Sequence, residues 1–363
     1  MTGSLSKKDR KSLRLQGVLE NRPILGPHTV HFDITNACNV RCTTCWHHSP
    51  FLAASEVPSA DWKRRAMPFD RFAATMDDLL ELGGLEQVIL SGMGDPSLHV
   101  HIHDMVEYAH QRQVGVTIIS NLLSLDLGRL LASSGQLELL ASICGVTPRT
   151  WAAFHGGAND NGWERLLSQL AVLHRHEFAA KHVQVINTQN YFELPDMVRF
   201  AKAWGAKRVN FKFASLGRGT EAVALTDTQK QELLDRWIPS AKAVAHFSSV
   251  ATDLPAFETQ IQPGSLATAP IEEVGCHMGT VYARITVQGE VLYCCNTDVS
   301  VGFLDKQQSF RDVWLGSDYV AMRERLGRGE FFASCHQCGK YKQNLKWAEK
   351  IKSHNQRTRT TAS

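Results

Sequence analysis

Residues 29–45 read TVHFDITNACNVRCTTC: an alternating run, Thr29–Thr35, that leads directly into a loop holding Cys38, Cys42 and Cys45. The β-branched alternation predicts a strand. The chain has nine cysteines, and without an export signal such residues are metal ligands or catalytic groups sooner than disulfides. Thiolates at these spacings hold iron–sulfur clusters. Three ligands on a four-iron cube leave one iron open, which is what a catalytic metal site needs. Three buried structural cysteines, or part of a zinc site, is the plainer alternative.

Outward from that loop, strand-like and helix-like segments alternate. Further strands are expected at Gln87–Ser91, Val116–Ser120, Leu137–Ile143, His182–Asn187 and Arg208–Phe213. Helices are expected at Pro68–Leu82, His103–Gln113, Leu123–Ser133, Gly162–His176 and Leu194–Trp204. Six strands separated by helices predict βα units on a parallel sheet, an α/β fold built as a partial (β/α)6 TIM-like barrel. The loops that follow the strands would gather on one face.

The pattern changes after Phe213. One helix is expected over Thr226–Ala245 and an aperiodic connector over Ala251–Glu272. Tyr282–Tyr293 alternates on both sides of Gln288-Gly289, a β-hairpin pattern. A helix at Phe310–Arg328 precedes Cys335-His-Gln-Cys338. The end, Lys340–Arg359, carries seven Lys/Arg against one acid, Glu349; it reads as a solvated, disordered tail, with an anionic partner as the second reading. The expected division is an N-terminal extension 1–28, a barrel 29–225, a helix and connector 226–275, a small hairpin/helix domain 276–340 and the tail 341–363.

Composition excludes more than it identifies. With 363 residues, 43% apolar and 21% charged, the chain has the make-up of a globular protein. A net charge of +3 builds no field that calls for nucleic acid. There is no apolar run of transmembrane length and no signal peptide, so a soluble, cytoplasmic protein is expected.

The cysteine spacing after a first strand resembles the radical SAM superfamily, whose CxxxCxxC loop binds a [4Fe-4S] cluster. In that family the open iron chelates S-adenosyl-L-methionine, and reductive cleavage yields a 5′-deoxyadenosyl radical that abstracts hydrogen. The residue before the third cysteine is usually aromatic; here it is Thr44, with Trp46 just beyond. Ser91-Gly92-Met93-Gly94-Asp95-Pro96 follows the second strand and resembles the family's glycine-rich turn for the SAM amino group, with Asp95 where Glu is commoner. The resemblance further implies SAM contacts at Ser120, Asn121, Ser142 and Asn187; strand-end Ser and Asn also make turns. Cys144 reads as a small core residue. Lys212, in an otherwise apolar strand, faces either the barrel interior or solvent.

Cys276, twelve residues, Gly289, four residues and Cys294, then Cys335 and Cys338, resembles the twitch form of the SPASM region. The resemblance implies a second, auxiliary [4Fe-4S] cluster on Cys276, Cys294, Cys335 and Cys338; zinc on the same four is the alternative. The Gly289-x4-Cys register selects Cys294, with adjacent Cys295 as substitute. Four thiolates saturate a cube, which suits electron transfer. The expectation is therefore an oxidoreductase, dehydrogenase-like, that abstracts hydrogen from a small polar, sugar- or cyclitol-like substrate, with electrons supplied by a reducing partner such as flavodoxin or ferredoxin. A peptide maturase is the alternative, disfavoured because 28 residues before the first strand are too few for a winged-helix leader-binding domain. A redox-neutral epimerase or decarboxylase is a third possibility. No residue is identified as the general base; His47, His48, His155, Lys212, Arg218 and His277 are candidates.

Overall fold

The computed structural model describes residues 6–157, 161–261, 270–295 and 299–361. The chain divides into two units, one drawn from Met1–Asp33, Met67–Ile89 and Ala269–Ser363, the other from Ile34–Ala66 and Leu90–Thr268. Strand β1 (Thr29–Asp33) belongs to the first, and β2 (Gln87–Ser91) carries the chain from the first into the second.

In the second unit β3 (Gly115–Ser120), β4 (Leu137–Ser142), β5 (Lys181–Ile186), β6 (Arg208–Phe213) and β7 (Ala251–Thr252) run side by side, every pairing parallel. Helices return the chain between them, as parallel connections require. One sheet face is apolar: Ile186, Val209 and Phe211 are buried against Leu194, Met197 and Val198 of the helix Leu194–Ala203. Each such side chain contributes about 1.5–3 kcal/mol by leaving water. Lys212, between Phe211 and Phe213, is exposed and alternates onto the opposite face.

The expected single helix over Thr226–Ala245 is interrupted. It runs Asp227–Glu232, passes through a π-turn at Leu233–Trp237, and resumes as Ile238–Ser248. Pro239 supplies no N–H and crowds the carbonyl a turn earlier, which the wider turn accommodates. The expected connector is also more ordered than its composition suggests. Ala251–Thr252 adds β7 beside β6, the Asp253 carboxylate accepts from the Phe211 amide at 2.7 Å, and a helix follows at Leu254–Ile261. The rest of that connector, 262–269, lies outside the described residues.

In the first unit β1 pairs in parallel with β8 (Tyr282–Ile285), which forms the expected antiparallel hairpin with β9 (Glu290–Leu292); β10 (Ser300–Phe303) adds an outer strand. Gly289 turns the hairpin at φ +91°, and a Cβ there would stand 2.8 Å from the Leu304 carbonyl, so glycine is required. Arg284 of β8 grips buried Asp33 of β1 through two bonds of 2.9 and 3.0 Å. The helix expected at Phe310–Arg328 breaks at Gly316 into Phe310–Leu315 and Ser317–Gly327.

The tail is the clearest difference from expectation. Tyr341–Thr361 is a helix. Tyr341 and Asn344 are buried and Leu345 and Ala348 partly so, a spacing of three and four that anchors one face; its last two residues, 362–363, lie outside the described residues. No described helix is long and apolar enough to cross a membrane.

Candidate functional site

The cysteine loop is shaped by backbone contacts before any cofactor is considered. Arg41–Cys42 pairs antiparallel with His155–Gly156, and the Thr43 amide donates to the Phe154 carbonyl at 2.9 Å. On its other side the loop is zipped to the glycine turn: the Gly94 amide donates to the Thr35 carbonyl at 3.1 Å and the Asp95 amide to the Ala37 carbonyl at 2.8 Å. A Cβ on Gly92 would lie 2.2 Å from the Thr35 carbonyl oxygen, and one on Gly94 2.0 Å from that of Ala37. Those glycines are needed for the two loops to touch at all.

Cys38, Cys42 and Cys45 are thereby brought within mutual electrostatic reach. Burial, and then the neighbouring thiols and Asp95, push Cys38 up to about 12 and Cys42 well above the ordinary thiol value. Burial likewise raises Cys45. Three buried sulfurs that resist ionisation on their own are suited to bind iron, which holds thiolates by replacing the proton. Among the described residues no three His, Cys, Asp or Glu side chains gather as they would around one ion; a cluster, whose ligands sit on different irons, demands no such closeness.

The predicted polar contacts converge on the same place. Asp95 is buried, and its carboxylate accepts from Ser120 Oγ at 2.8 Å, the Asn121 amide at 2.7 Å and the Ser97 amide at 3.0 Å. With about four acceptor positions on a carboxylate, roughly one remains for a ligand, so Asp95 mainly fixes the ends of β3 and the glycine turn. Asn121 Nδ2 donates to Asn39 Oδ1 at 2.7 Å, tying β3's end to the residue after Cys38. Asn187, past β5, donates from Nδ2 to Thr43 Oγ1 at 3.4 Å, and Thr43 Oγ1 donates to Gln189 Oε1 at 2.9 Å. Asn39, Thr43 and Gln189 are missed by the sequence reading; for Asn39 and Thr43 the available signal is their place inside the cysteine spacing, and Gln189 carries none. Thr44 and Met93 are partly exposed. Ser142 Oγ lies 3.6 Å from Cys144 Sγ. Cys144 is fully buried as expected and accepts from the Val185 amide, although its φ of +50° is unusual for cysteine.

The candidate bases disperse. His48 is buried and bound to the Asn36 carbonyl at 2.9 Å, and burial lowers its basicity. His47 stacks on Trp62 at 5.0 Å. Buried His155 stacks on Trp151 and is pushed down to about 4 by desolvation. Arg218 lies 5.6 Å over the Trp46 ring, whose indole N–H donates to the Ser215 carbonyl. His277 belongs to the first unit.

The second group of cysteines lies within the first unit. Cys276 precedes β8, Cys294 and Cys295 follow β9, and Cys335 and Cys338 lie in a short turn before the last helix. Cys276, Cys335 and Cys338 each feel the charge of Cys295, besides a dominant push upward from burial. Cys295 Sγ would stand 2.9 Å from a Cβ on Gly339, directly after Cys338. Cys294, like Cys276, lies beside Tyr293 and Tyr319. A hydrogen bond from Cys294, helped by Lys340 and Arg284 against burial, pulls Cys295 down to about 6. Both adjacent cysteines thus lie with this group. Asn344 locks the arrangement, accepting from the His277 amide at 2.8 Å and donating to Cys338 Sγ at 3.7 Å.

Comparison with known proteins accords with both regions. The Radical SAM superfamily matches residues 32–210, and the SPASM iron–sulfur cluster-binding domain matches residues 276–339. The mycofactocin maturase MftC of Mycobacterium tuberculosis is 24% identical over 332 residues, spanning 88% of this chain and 78% of that protein. A tungsten-containing aldehyde ferredoxin oxidoreductase cofactor-modifying protein of Pyrococcus furiosus is 24% identical over 178 residues, 47% of each chain. In fold, the chain is similar to Streptococcus suis SuiB, solved bound to the precursor peptide SuiA: TM-score 0.62, 14% identity, 94% of this chain and 77% of that one. The α/β, TIM-like architecture is thus that of radical SAM proteins, with a SPASM region at its C-terminal end.

Proposed function

We propose that this chain, which belongs to the radical SAM superfamily and carries a SPASM iron–sulfur region, is a maturase that modifies a precursor peptide. Likeness to the mycofactocin maturase MftC along 88% of the chain, with a fold similar to that of SuiB, solved bound to a precursor peptide, supports the reading. It displaces the small sugar- or cyclitol-like substrate expected from cysteine pattern alone, because that pattern reports how a radical is made and not what it attacks. When bound, S-adenosyl-L-methionine and its [4Fe-4S] cluster supply a hydrogen-abstracting 5′-deoxyadenosyl radical, and an auxiliary [4Fe-4S] cluster supplies one-electron chemistry.

The chain's own residues have separable tasks in this reading. Cys38, Cys42 and Cys45 hold the SAM-binding cluster. Gly92–Gly94 bring backbone close to the ligand, Asp95 braces that turn, and Ser120, Asn121, Ser142 and Asn187 surround it. Asn39 and Thr43 hold the cysteine loop through Asn121 and Asn187. Cys276, Cys294, Cys335 and Cys338 hold the auxiliary cluster, with adjacent Cys295 as the substitute ligand, and a flavodoxin or ferredoxin delivers electrons.

The test is mass spectrometry of a short peptide encoded beside the gene, incubated anaerobically with reconstituted, reduced protein and SAM. A mass change in the peptide that scales with 5′-deoxyadenosine is expected. Consumption of a sugar or cyclitol, with every such peptide unchanged, would overturn the reading.

A further inference from the structure

The first unit contains a pocket of about 490 Å³ that none of the cysteines lines. It lies at the amino ends of β1, β2 and β8, where Thr29, Gln87 and Tyr282 begin their strands. The cysteine loop follows the opposite end of β1. Two helices border the pocket. The N-terminal helix Lys7–Leu19 contributes Lys7, Lys11 and Arg14, and the last helix contributes Lys346 and Lys350. Spacings of three and four put each set on one helix face.

Five cationic side chains thus face one carboxylate, Glu86, and that carboxylate is already engaged. Its Oε1 lies 3.0 Å from Arg14 Nη1, and its Oε2 lies 3.3 Å from His28 Nε2. Arg14 is 6% exposed and its Nε has no hydrogen-bond partner. A buried guanidinium N–H left unmet is costly, and like charges collected from two helices repel. Desolvation, then Lys11, Arg14 and Lys346, lower Lys350 from its ordinary value. The remaining wall mixes Thr29, Gln87 and Gln343 with Met278, Val281, Tyr282 and Trp347, a lining that suits a polypeptide better than a bare phosphate.

We infer that this pocket docks an acidic segment of the substrate polypeptide; the inference rests on the maturase reading for its occupant. Carboxylates would meet the lysine rim, while side-chain carbon packs on Trp347 and Met278.

The test is fluorescence anisotropy on the full chain with a labelled glutamate-rich peptide and its glutamine counterpart. The glutamate peptide should bind, more weakly as salt is raised. Lys346→Glu with Lys350→Glu should weaken it roughly 10-fold or more, and the gentler Lys346→Gln with Lys350→Gln should weaken it less, with far-UV circular dichroism unchanged. Substrate-free 5′-deoxyadenosine formation should be the same in every variant. Equal binding of the glutamine peptide, unchanged affinity in the charge-reversed protein, or tighter binding of a short RNA would each overturn the proposal. Peptide modification without glutamate-dependent binding removes the pocket alone; glutamate-dependent binding with no peptide ever modified removes the maturase reading and leaves the pocket an acidic-peptide site.

Discussion

The two cysteine groups are built in opposite ways. Cys38, Cys42 and Cys45 lie on one loop, so their spacing is a local property, and the neighbouring glycine turn only has to come close enough to hold the loop. The second group is assembled from three distant segments: before β8, after β9, and before the last helix. Its geometry exists only once the hairpin and the helices have packed. A local site can be damaged by one bad contact beside it, whereas an assembled site depends on strand register and on anchors such as Asn344.

Removing the local group should have the largest effect. Cys38→Ala, Cys42→Ala and Cys45→Ala together should reduce 5′-deoxyadenosine to background, while keeping about four of about eight irons per chain, since each cube holds four. Loss of all iron from that variant would show that the groups are not independent. Next in size is the assembled group. Cys294→Ala should lose about half the iron and sulfide, and Cys295→Ala should keep most of it; the reverse would overturn the ligand set that the Gly289 spacing selects.

Acid provides a third comparison, because His155 pairs with Cys42 and is held near 4 by burial. The unfolded chain takes up its proton first, near the ordinary value of about 6.5. The native state should therefore be at full stability above that pH and lose up to about 3 kcal/mol as pH falls towards 4. Denaturant titrations across this range check it, and His155→Gln should flatten the decline. Smaller effects are expected from the turn. Gly94→Ala should cost about 1–3 kcal/mol by forcing the loops apart and weaken SAM binding roughly 10-fold, as seen by equilibrium dialysis. Asp95→Asn should cost about 1–2 kcal/mol of thermal stability, with a smaller loss of SAM affinity. If Asp95→Asn were the more damaging to SAM binding, direct contact with the ligand would outweigh its bracing role.

The local group was legible because everything that defines it is consecutive: an alternating strand, then cysteines at fixed spacing. The six parallel strands were legible too, since Val and Ile runs between amphipathic helices have few other uses, and Arg208–Phe213 falls where the alternation put it. The fourth sulfur of the assembled group is less legible, because Cys294 and Cys295 are adjacent and hydrogen-bonded to each other. The helix at the chain's end was hidden by its charge. Its lysines are exposed, and what anchors it is the quieter row of Tyr341, Asn344 and Leu345. The π-turn before Pro239 escaped because apolar periodicity continues through it.

The pairing of β1 with β8 joins residues about 250 positions apart. Such a contact has a high sequence separation, and its loop must close before the pairing repays anything. During synthesis the strand that feeds the first cysteines is made about 250 residues before its partner. Until then its backbone N–H and C=O groups form an open edge, available to any other extended segment. A chain stopped before Tyr282 would carry that edge unfinished.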